Sequence, residues 1–285
     1  MPTTAPWQLP AGVDCYAVVG NPVAHSKSPR IHQAFAKQTG QSLVYLAQAI
    51  EPGDFVAAVA EFQRLGGKGL NVTLPFKLEA HALCARRSER AEQSGAVNTL
   101  WFERDGRICG DNTDGIGLMR DLTMNHGMAV AGRKVLLLGA GGAAQGILPA
   151  LLAERPAKLT IANRTFSRAR ALAGRVPLAE RGMIDVLPME ALAGRAFNLI
   201  INATAASLAG ELPPLPDDVL HRGGDCYDMM YADEPTVFMQ WGLRYGAARS
   251  VDGLGMLVEQ AAESFYLWRG IRPDTAAVIK ELRQS

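Results

Sequence analysis

An apolar run that leads directly into a glycine-rich turn constrains the fold of this chain more than any other segment. Residues 134–138 read KVLLL, and Gly139-Ala-Gly-Gly-Ala143 follows before a helix-forming stretch. Gly139 permits a tight turn, Gly141 lets the backbone approach a pyrophosphate, and Ala144 lets helix and strand pack closely. The free N–H groups of the helix would face the phosphate charge. The segment predicts a doubly wound domain that binds a dinucleotide, and a tight turn without a ligand is the alternative.

The residues after the next apolar strand indicate which dinucleotide would bind. NAD-binding chains usually place an acidic residue there to accept hydrogen bonds from the ribose. This chain has Asn163-Arg164-Thr165 instead, followed by Arg168. A guanidinium can hold a 2′-phosphate with paired, charge-assisted hydrogen bonds, whereas a carboxylate would repel it. The pattern therefore favours NADP(H) over NAD, unless the arginines only solvate a surface loop.

Strand and helix patterns alternate along most of the chain, which is typical of α/β domains with a mainly parallel sheet. The periodicity of apolar residues, the glycine stops and the proline-led starts set the expected bounds. The predicted strands lie at residues 14–19, 44–50, 69–72, 134–138, 159–162, 197–201 and 224–228, and the predicted helices begin near 28 or span 55–65, 145–154, 167–174, 256–269 and 275–283.

These elements group into two predicted α/β domains with a cleft between them. Residues 1–113 plus 253–285 would form a substrate-binding and catalytic domain with a mainly parallel sheet. Residues 114–252 would form a doubly wound, Rossmann-like NADP-binding domain. Glycines flank both crossovers, and they would either let the cleft close or simply mark turns. They are Gly115, Gly117, Gly253 and Gly255.

Composition excludes several other classes of protein. The chain has 29 basic and 28 acidic residues and no long basic run, so we expect no nucleic-acid partner. The four cysteines are too widely spaced for a CxxC motif, and we expect no metal site. No signal peptide and no run of about 20 apolar residues is present, so we expect no membrane partner. We predict a cytoplasmic monomer or homodimer that acts on a small molecule.

Polar clusters in the first half of the chain follow predicted strands. One is Asn21–Pro29, with Ser26 and Ser28 before a helix, although helix capping explains only one of these serines. The others are 71–77 and the pair 95–99 and 110–115. Taken singly, each cluster reads more readily as a turn. Together, at the ends of strands of an open sheet, they predict a polyhydroxylated ligand.

Eight motifs in order resemble the shikimate dehydrogenase family from about Val13 to the C-terminal helix. The resemblance implies an oxidoreductase that uses NADPH to reduce 3-dehydroshikimate reversibly to shikimate, in aromatic amino acid biosynthesis. The motifs are NPVAHSKSP, NVTLPFK, GAVNT, GDNTDG, GAGGA, NRTFSR, YDMMY and DGLGMLVEQAA.

The resemblance also implies roles for individual residues. Lys77 and Asp114 would be the catalytic pair, since a lysine can exchange a proton with the alcohol oxygen while a carboxylate orients both. His25 and His81 are less favoured as bases, because we expect them in a turn and on a helix face. The implied substrate contacts are Ser26, Ser28, Thr73, Lys77, Asn98, Asp114, Tyr231 and Gln260. The implied cofactor contacts are Gly139, Ala140, Gly141, Gly142, Ala143, Asn163, Arg164, Thr165, Arg168, Met229 and Gly253.

Two stretches depart from the pattern of that family. Gln145 stands where the family usually carries an arginine, which removes a cation from the first helical turn. Residues 202–207 read NATAAS rather than the commoner N-A-T-S/P. Three alternatives stay open: a quinate/shikimate dehydrogenase with relaxed cofactor use, a non-catalytic protein that senses shikimate or NADP, and a folate-interconverting dehydrogenase. The first dozen residues lie outside the resemblance.

Overall fold

A computed structural model describes residues 7–284. The chain divides into two compact units, the described part of Met1–Gly117 with Leu257–Ser285, and Leu118–Met256. These bounds differ by four residues from the predicted 113/114 and 252/253 divisions. Asp114 belongs to the first unit because its side chain bonds there, to Asn98 and Lys77. Gly253 belongs to the second unit because its N–H donates to the carbonyl of Met230.

The first unit contains a six-stranded mixed sheet. In chain order its elements are β1 (Asp14–Gly20), α1 (Ser28–Thr39), β2 (Leu43–Ala49), α2 (Phe55–Arg64), β3 (Gly69–Val72), α3 (Lys77–Leu83), β4 (Arg86–Arg87), α4 (Glu89–Ser94), β5 (Thr99–Phe102), β6 (Ile108–Asp111) and the start of α5 (Asp114–Arg120). The strand order is β2-β1-β3-β5-β6-β4. β1 pairs in parallel with β2 and β3, and β5 is antiparallel to β3 and β6.

The β5–β6 hairpin is the main part of this sheet that the sequence pattern did not predict. Both strands have only four residues and carry polar groups at their buried ends, so their alternation is weak. Parallel pairs still join β2, β1 and β3, and their carboxyl ends lie at one edge of the sheet. The loops that carry Asn21, Ser26 and Thr73 leave the sheet at this edge.

The second unit contains a six-stranded sheet in which every pair is parallel. A π-helical turn (Asp121–Asn125) precedes β7 (Lys134–Leu138), α6 (Gly142–Ala153), β8 (Lys158–Ala162), α7 (Phe166–Gly174), β9 (Ile184–Leu187), β10 (Phe197–Asn202), β11 (Leu220–Asp228), α8 (Val237–Arg244) and β12 (Arg249–Asp252). Short 3₁₀ turns lie at Arg181–Met183, Met189–Leu192 and Ala206–Ala209. Helix α9 (Leu254–Arg269) begins at the end of this unit, and most of it belongs to the first unit, as does α10 (Thr275–Arg283).

The strand order of this second sheet is β12-β11-β10-β7-β8-β9. It is the doubly wound order in which the direction of winding reverses between the first and fourth strands, here β7 and β10. Ligands of such sheets bind where the carboxyl ends of these two strands diverge. The predicted α/β fold class, with its doubly wound sheet, is confirmed.

Alternate residues of β7 build the two sides of the core in this unit. Val135 and Leu137 pack in one apolar cluster with Ile147 and Leu151 of α6. Leu136 belongs to the cluster on the other face, which includes aromatic side chains of α8. Burial on both faces explains why this strand is apolar at every position after Lys134.

Most predicted bounds agree with the structure within a few residues, and β3, β7 and α10 agree at both ends. β11 begins at Leu220 rather than 224, because an irregularity in its register with β10 lets the strand start earlier. Within residues 7–284, none of the helices has the length and apolarity needed to cross a membrane.

Candidate active site and dinucleotide site

A lysine and an aspartate from distant parts of the sequence meet in the first unit. Lys77 is the first residue of α3 and Asp114 is the first residue of α5. The Lys77 Nζ donates to the Asp114 Oδ2 at 2.5 Å. The two side chains are 13% and 8% exposed, so most of the water around this ion pair has been removed. A lysine held in this way can exchange a proton with a bound alcohol oxygen, and the carboxylate can stabilise the charged form of the lysine.

The Asp114 carboxylate is held on its second oxygen as well. Asn98 Nδ2 donates to Asp114 Oδ1 at 2.8 Å. Asn112 Oδ1 accepts from the backbone N–H of Asp114 at 3.0 Å, which fixes the start of α5. Gln260, from α9, is connected to the same group because its Oε1 lies 3.3 Å from Asn98 Nδ2. Four of the predicted substrate residues, Lys77, Asn98, Asp114 and Gln260, therefore form one hydrogen-bonded cluster.

The two predicted serines lie together at the start of α1. The backbone N–H of Ser28 donates to Ser26 Oγ at 3.2 Å, and Ser28 is buried. A side-chain hydrogen bond joins Ser28 to Tyr45, whose pKa is raised well above its ordinary value by burial. The Tyr45 hydroxyl donates to Asn71 Oδ1 at 2.7 Å. Asn71 in turn donates to the carbonyl of Asn98, so a chain of buried polar groups links the serines to the Lys77 cluster.

Several members of this buried network were not predicted from the sequence. Ser264 is fully buried in α9, where its Oγ accepts from Asn71 Nδ2 at 3.0 Å and lies 2.7 Å from Thr99 Oγ1. Asn71 belongs to the quoted NVTLPFK motif, so the motif could have been used to predict that Asn71 lies in this network. No local signal marks Tyr45 or Ser264, because each acts through partners distant in sequence.

The other predicted substrate residues occupy separate positions. Thr73 follows β3 and is partly buried, and its N–H donates to the carbonyl of Val19. Tyr231 is partly buried and lies in the second unit, just after β11. His25 lies in an exposed turn and His81 in α3, which are the positions predicted for them.

The glycine turn of the second unit fits a pyrophosphate. Gly139 has φ +105°, a conformation that favours glycine, and a Cβ there would lie only 3.1 Å from the backbone of Ala203. Gly141 has open space around it, and α6 begins at Gly142 without a side-chain cap. The first N–H groups of α6 are thus available to an anion. Gln145 is buried in the same helix, so this departure leaves a neutral amide under the turn.

Two arginines beside this turn fit a phosphate. Arg164 and Arg168 are exposed, and neither guanidinium has an ion pair or hydrogen bond within residues 7–284. A cavity of about 360 Å³ adjoins Arg164 and is large enough for a nucleoside. It is lined by Leu138, Gly139, Ala162, Asn163, Arg164, Met189, Thr204, Ala205, Ala206, Glu211, Leu212, Pro213 and Pro214. No group of three or more metal-binding side chains occurs in the described part of the chain.

The doubly wound sheet, the glycine turn and the buried lysine–aspartate pair together define a nucleotide-dependent oxidoreductase. Three family descriptions match the chain: "Shikimate dehydrogenase substrate binding domain" at residues 18–100, "Shikimate / quinate 5-dehydrogenase" at 121–209, and "Shikimate 5'-dehydrogenase C-terminal domain" at 253–283. The chain belongs to the shikimate dehydrogenase family, and the predicted resemblance is confirmed.

Individual relatives support this assignment. A protein named shikimate dehydrogenase (NADP(+)) from Alkalilimnicola ehrlichii is 57% identical over 95% of this chain and 98% of its own length. The crystal structure of an Ael1 enzyme from Pseudomonas putida is similar with a TM-score of 0.87 and 49% identity, covering 94% of this chain and 98% of that one. Shikimate 5-dehydrogenase from Thermus thermophilus, in complex with NADP(H) and shikimate, has a TM-score of 0.84 and 32% identity, covering 95% and 99%.

Proposed function

We propose that this protein catalyses the reversible, NADPH-dependent reduction of 3-dehydroshikimate to shikimate, a step of aromatic amino acid biosynthesis. The observation that carries the proposal is the buried contact between Lys77 Nζ and Asp114 Oδ2 at 2.5 Å, in a chain whose second unit presents an anion-binding glycine turn. Relatives named shikimate dehydrogenase (NADP(+)) are 51–58% identical to this chain over most of its length. In this proposal the first unit binds the substrate and the second binds NADP(H).

Lys77 and Asp114 supply the acid–base chemistry. Bound NADPH would provide the hydride that reaches the carbonyl carbon of the substrate. The Lys77 ammonium donates a proton to the carbonyl oxygen, and in the oxidation direction the neutral amine takes that proton back. Asp114 accepts from Lys77 and stabilises its cationic form, while Asn98 keeps the carboxylate from rotating away. Acid–base catalysis of this kind contributes roughly 10²–10⁴-fold to a rate.

The remaining polar groups would bind the substrate. Ser26 and Ser28 lie together and present hydroxyls suited to a carboxylate. Asn98 and Gln260 offer amides beside the catalytic pair, suited to ring hydroxyls. Thr73 and Tyr231 complete the proposed set. Hydroxyl and amide groups fit a neutral, hydroxylated ring with a single acid group.

The cofactor contacts are proposed along the carboxyl edge of the second sheet. The backbone of residues 139–143 would hold the pyrophosphate, and Asn163, Arg164, Thr165 and Arg168 would hold the adenosine ribose and its 2′-phosphate. The guanidinium groups of Arg164 and Arg168, which have no partner within residues 7–284, support this selection of NADP(H). Met229 and Gly253 would lie at the nicotinamide half.

We also propose that the protein works in the cytoplasm as a monomer or homodimer. Its partner would be a small molecule, with no role for nucleic acid or a membrane surface. The balanced charge supports the absence of a nucleic-acid partner. Four free, buried cysteines suit a reducing compartment.

One assay distinguishes this function from its alternatives. Shikimate and quinate are each offered with NADP and with NAD, and reduced nicotinamide is followed by its absorbance. We expect turnover with shikimate and NADP to exceed each other combination at least about tenfold, the effect of a few well-placed contacts. Comparable turnover of quinate, or of NAD, would instead identify a quinate/shikimate dehydrogenase. Binding of shikimate without turnover would identify a sensor.

A further inference from the structure

A fully buried carboxylate lies at the end of β11, outside the groups discussed above. Asp228 Oδ2 accepts from Ser207 Oγ at 2.6 Å and from Thr236 Oγ1 at 2.7 Å. Its Oδ1 accepts from Asn202 Nδ2 and from the N–H of Met230, both at 3.1 Å. No lysine or arginine in the described part of the chain pairs with it. Burying a charge is costly unless hydrogen bonds compensate, so this arrangement needs all of its donors in place.

The donors come from separate loops that Asp228 holds together. Asn202 ends β10, and its Oδ1 accepts from both the N–H and the hydroxyl of Thr204. Ser207 closes the same loop three residues later. Met230 follows β11, and Thr236 caps α8 by accepting from Met239 N. One carboxylate therefore connects the loop at residues 203–207 with the segment at residues 229–236.

These two loops serve different halves of a dinucleotide bound across the sheet. The first loop follows β10, the strand that pairs with β7, and therefore lies at the point where the two halves of the sheet meet. Thr204 and Ala206 line the cavity beside Arg164, where adenosine would bind. Residues 229–231 follow β11, in the half that would hold nicotinamide. Gly253 N donates to the carbonyl of Met230, which extends the connection to the start of α9.

We propose that Asp228 is a positioning residue that sets the spacing of these two loops, so that both halves of NADP(H) are held at once. The proposal rests on the proposed cofactor of this protein. Within the NATAAS segment, Ser207 is the residue that supplies a hydroxyl to Asp228. A ligand that contacts only one loop does not depend on their spacing.

The test compares whole and half ligands. Dissociation constants of NADPH, by fluorescence, and of 2′,5′-ADP, by calorimetry, are measured for the wild type and for Asp228→Asn. We expect NADPH binding to weaken about tenfold, the effect of losing one charge-assisted hydrogen bond. We expect the dissociation constant of 2′,5′-ADP to change less than about twofold, which is small beside the roughly tenfold change expected for NADPH. Ser207→Ala removes a single donor and should weaken NADPH binding about threefold without affecting 2′,5′-ADP; it provides the test if Asp228→Asn does not fold.

Asp225→Asn is the matched control, since Asp225 lies three residues earlier in β11, is equally buried and pairs with Arg133 and Arg249 instead. It should leave both affinities unchanged. Unchanged NADPH binding in the Asp228 and Ser207 variants, or an equal loss for both ligands, would overturn the proposal. If the cofactor assignment itself is wrong, the wild type will bind neither NADPH nor 2′,5′-ADP. That outcome is distinct from failure of the proposal for Asp228.

Discussion

At the scale of single residues, the ion pair of Lys77 and Asp114 depends on both partners. Each side chain is largely shielded from water, so an isolated charge left by removing one of them would be poorly solvated. Asn98 adds a hydrogen bond to Asp114 that does not depend on Lys77. The carboxylate should therefore keep its position when the lysine is shortened, which makes Lys77 the cleaner position for a test.

We expect Lys77→Ala to lower kcat for shikimate oxidation by about 10²–10⁴-fold, because the proton acceptor of the alcohol is lost. Steady-state kinetics measures this effect, and circular dichroism checks that the fold is retained. Lys68→Ala is the control, since Lys68 lies in the same unit and, among the described side chains, forms only a long, exposed ion pair with Asp14. Near-normal turnover of Lys77→Ala would remove Lys77 from the proposed mechanism.

At the scale of elements, the turn from β8 into α7 combines backbone geometry with two free cations. Asn163 Nδ2 donates to the carbonyl of Thr165 at 2.9 Å, which shapes the turn. Arg164 and Arg168 then extend into solvent. In the proposed binding mode, the preference for NADP over NAD would depend on one short connection rather than on the whole sheet.

We expect Arg164→Ala to weaken NADP binding by roughly ten- to a hundredfold, the range for losing hydrogen bonds to a charged group. NAD binding should change little, because NAD lacks the 2′-phosphate. Isothermal titration calorimetry with both nucleotides gives the comparison. Arg170→Ala, in the next turn of α7 and also exposed, is the matched control. Equal losses for NADP and NAD would contradict the assignment of this arginine to the phosphate.

At the scale of the whole molecule, helix α9 contributes to the aromatic core of the first unit, far along the sequence from β1 and α1. His32 of α1 stacks on Tyr45 with ring centroids 4.1 Å apart. The ring centroids of Phe265 and Trp268, both in α9, lie 6.1 Å and 5.5 Å from that of His32. His32 Nε2 is buried and has no hydrogen-bond partner within the described residues. Desolvation lowers the pKa of His32 from 6.5 to about 3.

This depressed pKa predicts how folding stability depends on pH. Between pH 6.5 and 3, His32 is protonated in the unfolded chain but stays neutral in the folded chain. The free energy of unfolding should therefore fall by up to about 1.4 kcal/mol per pH unit from this residue alone as the solution is acidified. Urea unfolding at several pH values should show a shallower dependence for His32→Phe than for the wild type. His25→Gln, at an exposed turn, should leave the dependence unchanged, and an equal slope in all three proteins would contradict the prediction.

The sequence alone determined what depends on neighbouring residues. The bounds of β3 and β7, the turn at Gly139 and the position of the arginines after β8 follow from local apolar patterns, backbone freedom and charge, which need no distant partner. The family resemblance added the proposed catalytic pair, although Lys77 and Asp114 are 37 positions apart.

Only the tertiary structure decided which polar groups meet inside the protein. Tyr45 and Ser264 carry no local signal, and Asp228, although part of the quoted YDMMY motif, is an aspartate at a strand end of a kind that occurs in many folds. Their importance comes from hydrogen bonds to residues that chain topology brings near, such as the bond from Asn71 to Ser264 across 193 positions. Buried polar groups need hydrogen-bond partners, and these partners often come from distant parts of the chain. Which groups become partners is therefore decided by the tertiary structure rather than by any single segment.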